Sequence, residues 1–89
     1  MPVFMVERRY AGQLVITDED AAGITRIYDD EGVRWLYSFL SADKRKSYCL
    51  YDAPSADALW RAAERAGLPA DVVLEMTATA RPDATSLPF

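Results

Sequence analysis

Histidine is missing altogether from this chain of 89 residues, and no other feature removes so much chemistry. The usual general base near neutral pH goes with it, as do the Ser-His and Cys-His nucleophile pairs and the commonest transition-metal ligand. Catalysis would have to come from carboxylates, tyrosines, arginines, lysines or Cys49. That cysteine is the only one, so no internal disulfide can form, which suits a reducing compartment. Inside a strand it reads as a small buried hydrophobe, and no neighbour is placed to make it a reactive nucleophile. Neither a glycine-rich phosphate loop nor a paired-cysteine metal motif is present.

Long apolar runs are lacking too. Nothing approaches the ~20 residues a membrane span needs, and the N-terminus carries its charge after its apolar residues, the wrong order for a secretory signal. These features predict a soluble, cytoplasmic protein with no membrane partner. Basic charge is in short supply: ten Lys and Arg stand against fourteen Asp and Glu, a net charge of -4. The summed field repels phosphate backbones, so nucleic acid is not an expected partner. The one basic cluster, Lys44-Arg45-Lys46, reads as a solvated hairpin tip.

What is present patterns into a single domain. Val3 to Tyr10 alternates between Val3, Met5, Glu7, Arg9 and Phe4, Val6, Arg8, Tyr10, a period of two that predicts a strand. Thr17, with Asp20 three residues on, reads as a capping box opening a helix from about Asp18 to Glu31, stopped by Gly32. Val33 to Leu40 and Lys46 to Ala53 read as a hairpin around Ser41-Ala42-Asp43-Lys44. Ser55 caps a second helix that carries Leu59, Ala62, Ala63 and Ala66 inward and closes at Gly67-Leu68-Pro69. Asp71 to Thr77 is the fourth strand. The domain is expected over residues 1–77, and 78–89, which show no period, read as a C-terminal tail. In that tail the terminal Phe89 could instead dock into a groove.

The order strand, helix, strand, strand, helix, strand predicts an α+β fold, a ferredoxin-like sandwich with two helices on one face of an antiparallel sheet. The other face is left open. Charged residues sort the faces if they avoid the space beneath the helices. On that rule Phe4, Val6, Val72, Leu74 and Met76 face the helices, and Glu7, Arg9 and Glu75 face outward. Trp35, Tyr37 and Phe39 go to the open face as well, where aromatic rings can be buried with their polar tips satisfied. The register of the third strand is ambiguous, with either Tyr48 and Leu50 or Cys49 and Tyr51 joining them. An apolar face of this kind marks a partner surface or a ligand groove, and pairing with a second copy is the simplest cover.

Glu7 and Glu75 lie on neighbouring strands and could approach as a proton-transfer pair or as hard oxygen ligands. The plainer alternative pairs Glu7 with Arg9 or Arg34 and leaves Glu75 at a wet edge. Tyr37, Tyr48 and Tyr51 are candidates to hydrogen-bond a ligand, and a buried tyrosine beside an arginine could act as an acid. The expected ligand-binding set on the open face is therefore Glu7, Trp35, Tyr37, Tyr48 and Glu75, and it requires Trp35 to lie on that face.

The stretch Val33-Arg34-Trp35-Leu36-Tyr37-Ser38, with Asp43-Lys44, Lys46, Cys49-Leu50-Tyr51-Asp52-Ala53-Pro54-Ser55 and Ala66-Gly67-Leu68-Pro69, resembles the nickel-binding-protein-like family of small bacterial proteins. The opening Pro2 to Arg8 shares the likeness, which extends to about Thr77. The resemblance implies a ferredoxin-like fold, a homodimer of the dimeric α+β-barrel type, and a divalent metal, nickel, as cofactor. In the nickel binders a histidine typically follows the Trp-Leu pair, and here that position is Tyr37. Two functions are consistent with these features: a dimeric binding protein holding a metal ion or small ligand at the open face, and a cofactor-free cyclase or isomerase using Tyr37 or Tyr48 with Glu7.

Overall fold

Both helices start and stop where the capping residues dictate. In the computed structural model, which describes residues 1–88, β1 spans Val3–Arg9 and α1 spans Asp18–Asp30. Thr17 Oγ1 accepts from the Asp20 amide at 3.1 Å, and the Asp20 carboxylate accepts from the Thr17 amide at 3.2 Å, the reciprocal pair of a capping box. Beyond the last turn, Gly32 takes φ +72°, a conformation that costs glycine little. The hairpin of β2 (Arg34–Leu40) and β3 (Lys46–Asp52) turns through Lys44 at φ 60°, with the Ser41 amide donating to the Lys46 carbonyl at 2.9 Å. Ser55 Oγ caps α2 (Ala56–Ala66), and the Leu68 amide reaches back to the Ala63 carbonyl past left-handed Gly67. β4 spans Val72–Met76.

The four strands form one antiparallel sheet in the order β2-β3-β1-β4, with the helices on one face, as a ferredoxin-like fold requires. Residues 78–88 stand apart from that sheet. Where the sequence showed no period, β5 (Ala78–Ala80) pairs with β6 (Ser86–Pro88) in a small hairpin. Phe89 lies outside the described residues, and with it the expectation that it docks. Among the described residues no helix is long and apolar enough to cross a membrane.

The core lies between helices and sheet. Phe4 and Val6 of β1, Cys49 and Tyr51 of β3, Tyr28 of α1 and Leu59 and Ala62 of α2 are its buried centre, and Val73 of β4 packs against them. Side chains directly opposite in a ladder share a face, so the register assigns the rest. Tyr37 lies opposite Leu50 and Phe39 opposite Tyr48, which resolves the ambiguity of β3 in favour of Tyr48 and Leu50 on the open side. Two sequence expectations are corrected.

Trp35 lies opposite Tyr51, on the helix side, and packs against the core. The cause is a bulge between Trp35 and Tyr37, which inserts one residue and reverses the alternation along β2. The second correction concerns β4. Leu74 lies opposite Met5 and Met76 opposite Val3, so these residues face the open side, while Val73 packs inward and Glu75, opposite Phe4, sits exposed on the helix side of an edge strand. Sorting by charge failed there because the open face is itself apolar. The register is pinned instead by backbone: the Asp71 amide donates to the Glu7 carbonyl at 3.0 Å, and the Asp71 carboxylate accepts from the Arg9 amide at 2.6 Å.

Candidate functional site

Arg8 breaks the rule that charge avoids the space beneath the helices. The period of β1 puts it in phase with Phe4 and Val6, and it is buried with them, 1% exposed. Its guanidinium donates to the Pro69 carbonyl, to the Tyr28 hydroxyl at 2.5 Å and to the Tyr51 hydroxyl at 2.9 Å. The two tyrosine rings stack with centroids 5.1 Å apart, and the guanidinium carbon lies 6.0 and 5.8 Å from their centres. One side chain thus gathers β1, α1, β3 and the α2–β4 connection.

The charge states follow from burial. Burial pulls the Arg8 pKa down, but the negative charge that Tyr51 and Tyr28 take on when they ionise, with the hydrogen bond to Tyr51, outweighs it and the net shift is upward, so the cation persists. Burial drives the Tyr51 and Tyr28 phenols up against the opposing pull of Arg8, so both stay protonated at neutral pH. Tyr51 is thus a tyrosine buried beside an arginine, yet it is a weaker acid than an ordinary phenol. Tyr10, bonded to Ser47 Oγ at 2.8 Å, is also shifted upward by burial.

These three phenols predict the alkaline behaviour of the fold. Below the ordinary value of 10.0 both folded and unfolded chains hold the protons. Above it the unfolded chain ionises first, so stability falls as pH rises from about 10 toward the higher folded values. Denaturant midpoints at pH 8 and pH 11 are expected to differ, the later pH giving the lower midpoint. Equal midpoints would contradict the burial of these hydroxyls.

A cavity of about 130 Å³ opens beside the cluster. Arg8, Tyr10, Ser47, Cys49 and Tyr51 supply its sheet wall, Trp35, Ser38 and Leu40 its β2 side, and Leu14, Ile16, Ile24 and Leu68 its cover. The bulge in β2 delivers Trp35 to this wall, where its Nε1 donates to Ser38 Oγ at 2.8 Å. The β1–α1 connection borders the outside, held to the hairpin by the Leu14 amide donating to the Lys44 carbonyl at 2.7 Å. A wider groove of about 840 Å³ runs along α1 past Asp20, Arg26 and Asp30, but it is open to solvent and borders none of the buried polar groups.

The predicted site residues therefore separate. Glu7, Tyr37 and Tyr48 are on the open face, with Glu7 directly opposite Tyr48. Trp35 is on the helix side in the cavity wall, and Glu75 is on the helix side at the sheet edge. Glu7 and Glu75 do not meet, being on opposite faces, and Glu7 is instead 3.0 Å from Arg9. Sequence reasoning missed Arg8 and the cover. The alternation of β1 had already grouped Arg8 with Phe4 and Val6, and the apolar run Leu14-Val15-Ile16 in a loop was a second signal.

The strand order and the layered core define a ferredoxin-like α+β domain with a small, half-open cavity at its core. The chain belongs to the SCO4226-like family, described as nickel responsive protein SCO4226-like, whose model matches residues 4–76. The crystal structure of SCO4226 from Streptomyces coelicolor A3(2) is similar to this chain with a TM-score of 0.73 and 28% identity, over 88% of this chain and 99% of that one. No functionally curated protein matches.

The donor set within one chain does not fit nickel. There is no imidazole, and among the described residues no three Cys, Asp or Glu side chains come together. Cys49 is buried with its thiol on Ser47 Oγ at 3.7 Å, and Glu31 is bonded to Arg61 and Arg65. Oxygen donors alone suit such a metal badly.

Proposed function

We propose that this protein is a small homodimeric ligand-binding protein, whose copies meet through their open sheet faces and whose ligand occupies the cavity beneath the helices. The cavity beside Arg8 carries the reading: a space of about 130 Å³ is close to the roughly 150 Å³ that admits a benzene ring in a protein interior. Apolar walls with a few convergent polar groups are the usual make-up of a small-molecule site. The open-face ligand set, which required Trp35 on that face, is given up, and Trp35 lines this cavity instead. Glu7, Tyr37 and Tyr48 belong to the dimer surface, and Glu75 to neither.

The open face supports pairing. Tyr37, Phe39 and Leu74 are 52%, 57% and 54% exposed, a large apolar surface for a domain of this size. A two-fold interface covers the same patch on both copies at once, and the family resemblance implies dimers.

Protein-observed NMR with a panel of small aromatic and aliphatic compounds tests where ligands go. Shifts are expected at Ile24, Leu40, Cys49 and Leu68. Shifts confined to Tyr37, Tyr48 and Leu50 would overturn the cavity and return the ligand to the open face. The enzyme alternative draws on the alignment of Glu7 with Tyr48, but Arg9 engages that carboxylate.

A further inference from the structure

Several polar side chains border the cavity beneath the helices, yet each of them already has a partner within the chain. Arg8 and Tyr51, 1% and 2% exposed, show it almost no surface, and their polar atoms bond to each other and to Tyr28 and Pro69. Tyr10 and Ser47 share a hydrogen bond at 2.8 Å, and the Cys49 thiol rests on the same Ser47 oxygen. Trp35 reaches the wall through the bulge and gives its indole N–H to Ser38 Oγ. Among the described residues no buried side-chain nitrogen or oxygen lacks a partner. The lining therefore meets a ligand with carbon, from Leu14, Ile16, Ile24, Leu40 and Leu68 and from the Trp35 ring.

We propose that the cavity selects a small uncharged hydrocarbon, a single ring or its aliphatic equivalent, and discriminates against the same body carrying a polar group. Moving apolar surface out of water into such a lining is favourable in proportion to the area covered. A hydroxyl on the ligand would lose its hydration and find no unpaired group to replace it, which is a net penalty. A carboxylate fares worse still, because the Arg8 Nη2 atom is already engaged by two tyrosine hydroxyls and its Nη1 atom by Pro69. The available volume, about 130 Å³, limits the body to about one ring.

The proposal deepens the ligand-binding reading and rests on it, though not on the dimer. Sealed-cell calorimetry with benzene and cyclohexane, beside phenol, cyclohexanol and benzoate, provides the test. At least one hydrocarbon is expected to bind, its alcohol about tenfold or more weakly, and benzoate not measurably. Ile24, on α1 and partly buried against the core, lies in the cover of the cavity. Ile24→Trp is expected to fill the space and abolish hydrocarbon binding while circular dichroism stays folded, and undiminished binding by that folded variant would overturn the assignment to this cavity. Should the variant fail to fold, the hydrocarbon-to-alcohol ratio on the unaltered chain still decides. Alcohols or benzoate binding as tightly as the hydrocarbons would overturn the selectivity and leave the ligand-binding reading standing. No binding of any compound at millimolar concentration would overturn both.

Discussion

Replacing Phe39 and Leu74 together by glutamate is expected to yield a 9.9 kDa particle where the parent chain runs at twice that mass. Both side chains stand on the open face at opposite edges of the sheet, and more than half of each is free of contact within the subunit. The substitution therefore costs the isolated domain little. Within a face-to-face dimer it would bury four unpaired carboxylates, each carrying a desolvation penalty of about several kcal/mol. Light scattering across a concentration series measures the outcome directly. A parent chain that stays at 9.9 kDa at working concentration would remove the dimer from the proposed function and leave the cavity untouched.

Leu59→Ala is expected to cost about 3 kcal/mol of folding stability, the middle of the range for a buried leucine truncated to alanine. Leu59 is 1% exposed, and its neighbours on α2 are Ala58, Ala62 and Ala63, too small to move into the space it would leave. A domain of this length has about 4 to 13 kcal/mol in total, so the loss is a large share. Urea denaturation should show a lower midpoint at unchanged slope. A loss below about 1 kcal/mol would mean that α2 is not seated on the sheet as described.

The fold was legible because its punctuation is local. Thr17 with Asp20, Ser55, Gly32 and Gly67 mark helix ends by chemistry that operates within a turn, and every helix boundary follows from them. The site was legible only in pieces. Strand alternation assigned Phe4, Val6 and Arg8 to one face, but the assumption that charge must point outward hid the meaning of Arg8. That assumption holds when a charge has no partners, and Arg8 has three, drawn from parts of the chain as distant as Tyr28, Tyr51 and Pro69.

Trp35 was misplaced for a different reason. A bulge is a property of the paired strands, and nothing within Arg34 to Leu40 announces that the phase changes between Trp35 and Tyr37. The error in β4 arose because Val72, Leu74 and Met76 make an apolar stripe fit for either a core or a partner. Periodicity reports that a stripe exists, and only the register with β1 tells which way it looks.

The guanidinium knot also sets the route by which anything reaches it. β1, α1, β3 and the Pro69 turn are all fastened to the same buried group, so displacing any of them means breaking its hydrogen bonds. The stretch from Ala11 to Ile16 is fastened more lightly, through the backbone bond from Leu14 to Lys44. Segments held by few contacts open at the least free energy, and traffic between solvent and the interior has its cheapest doorway there.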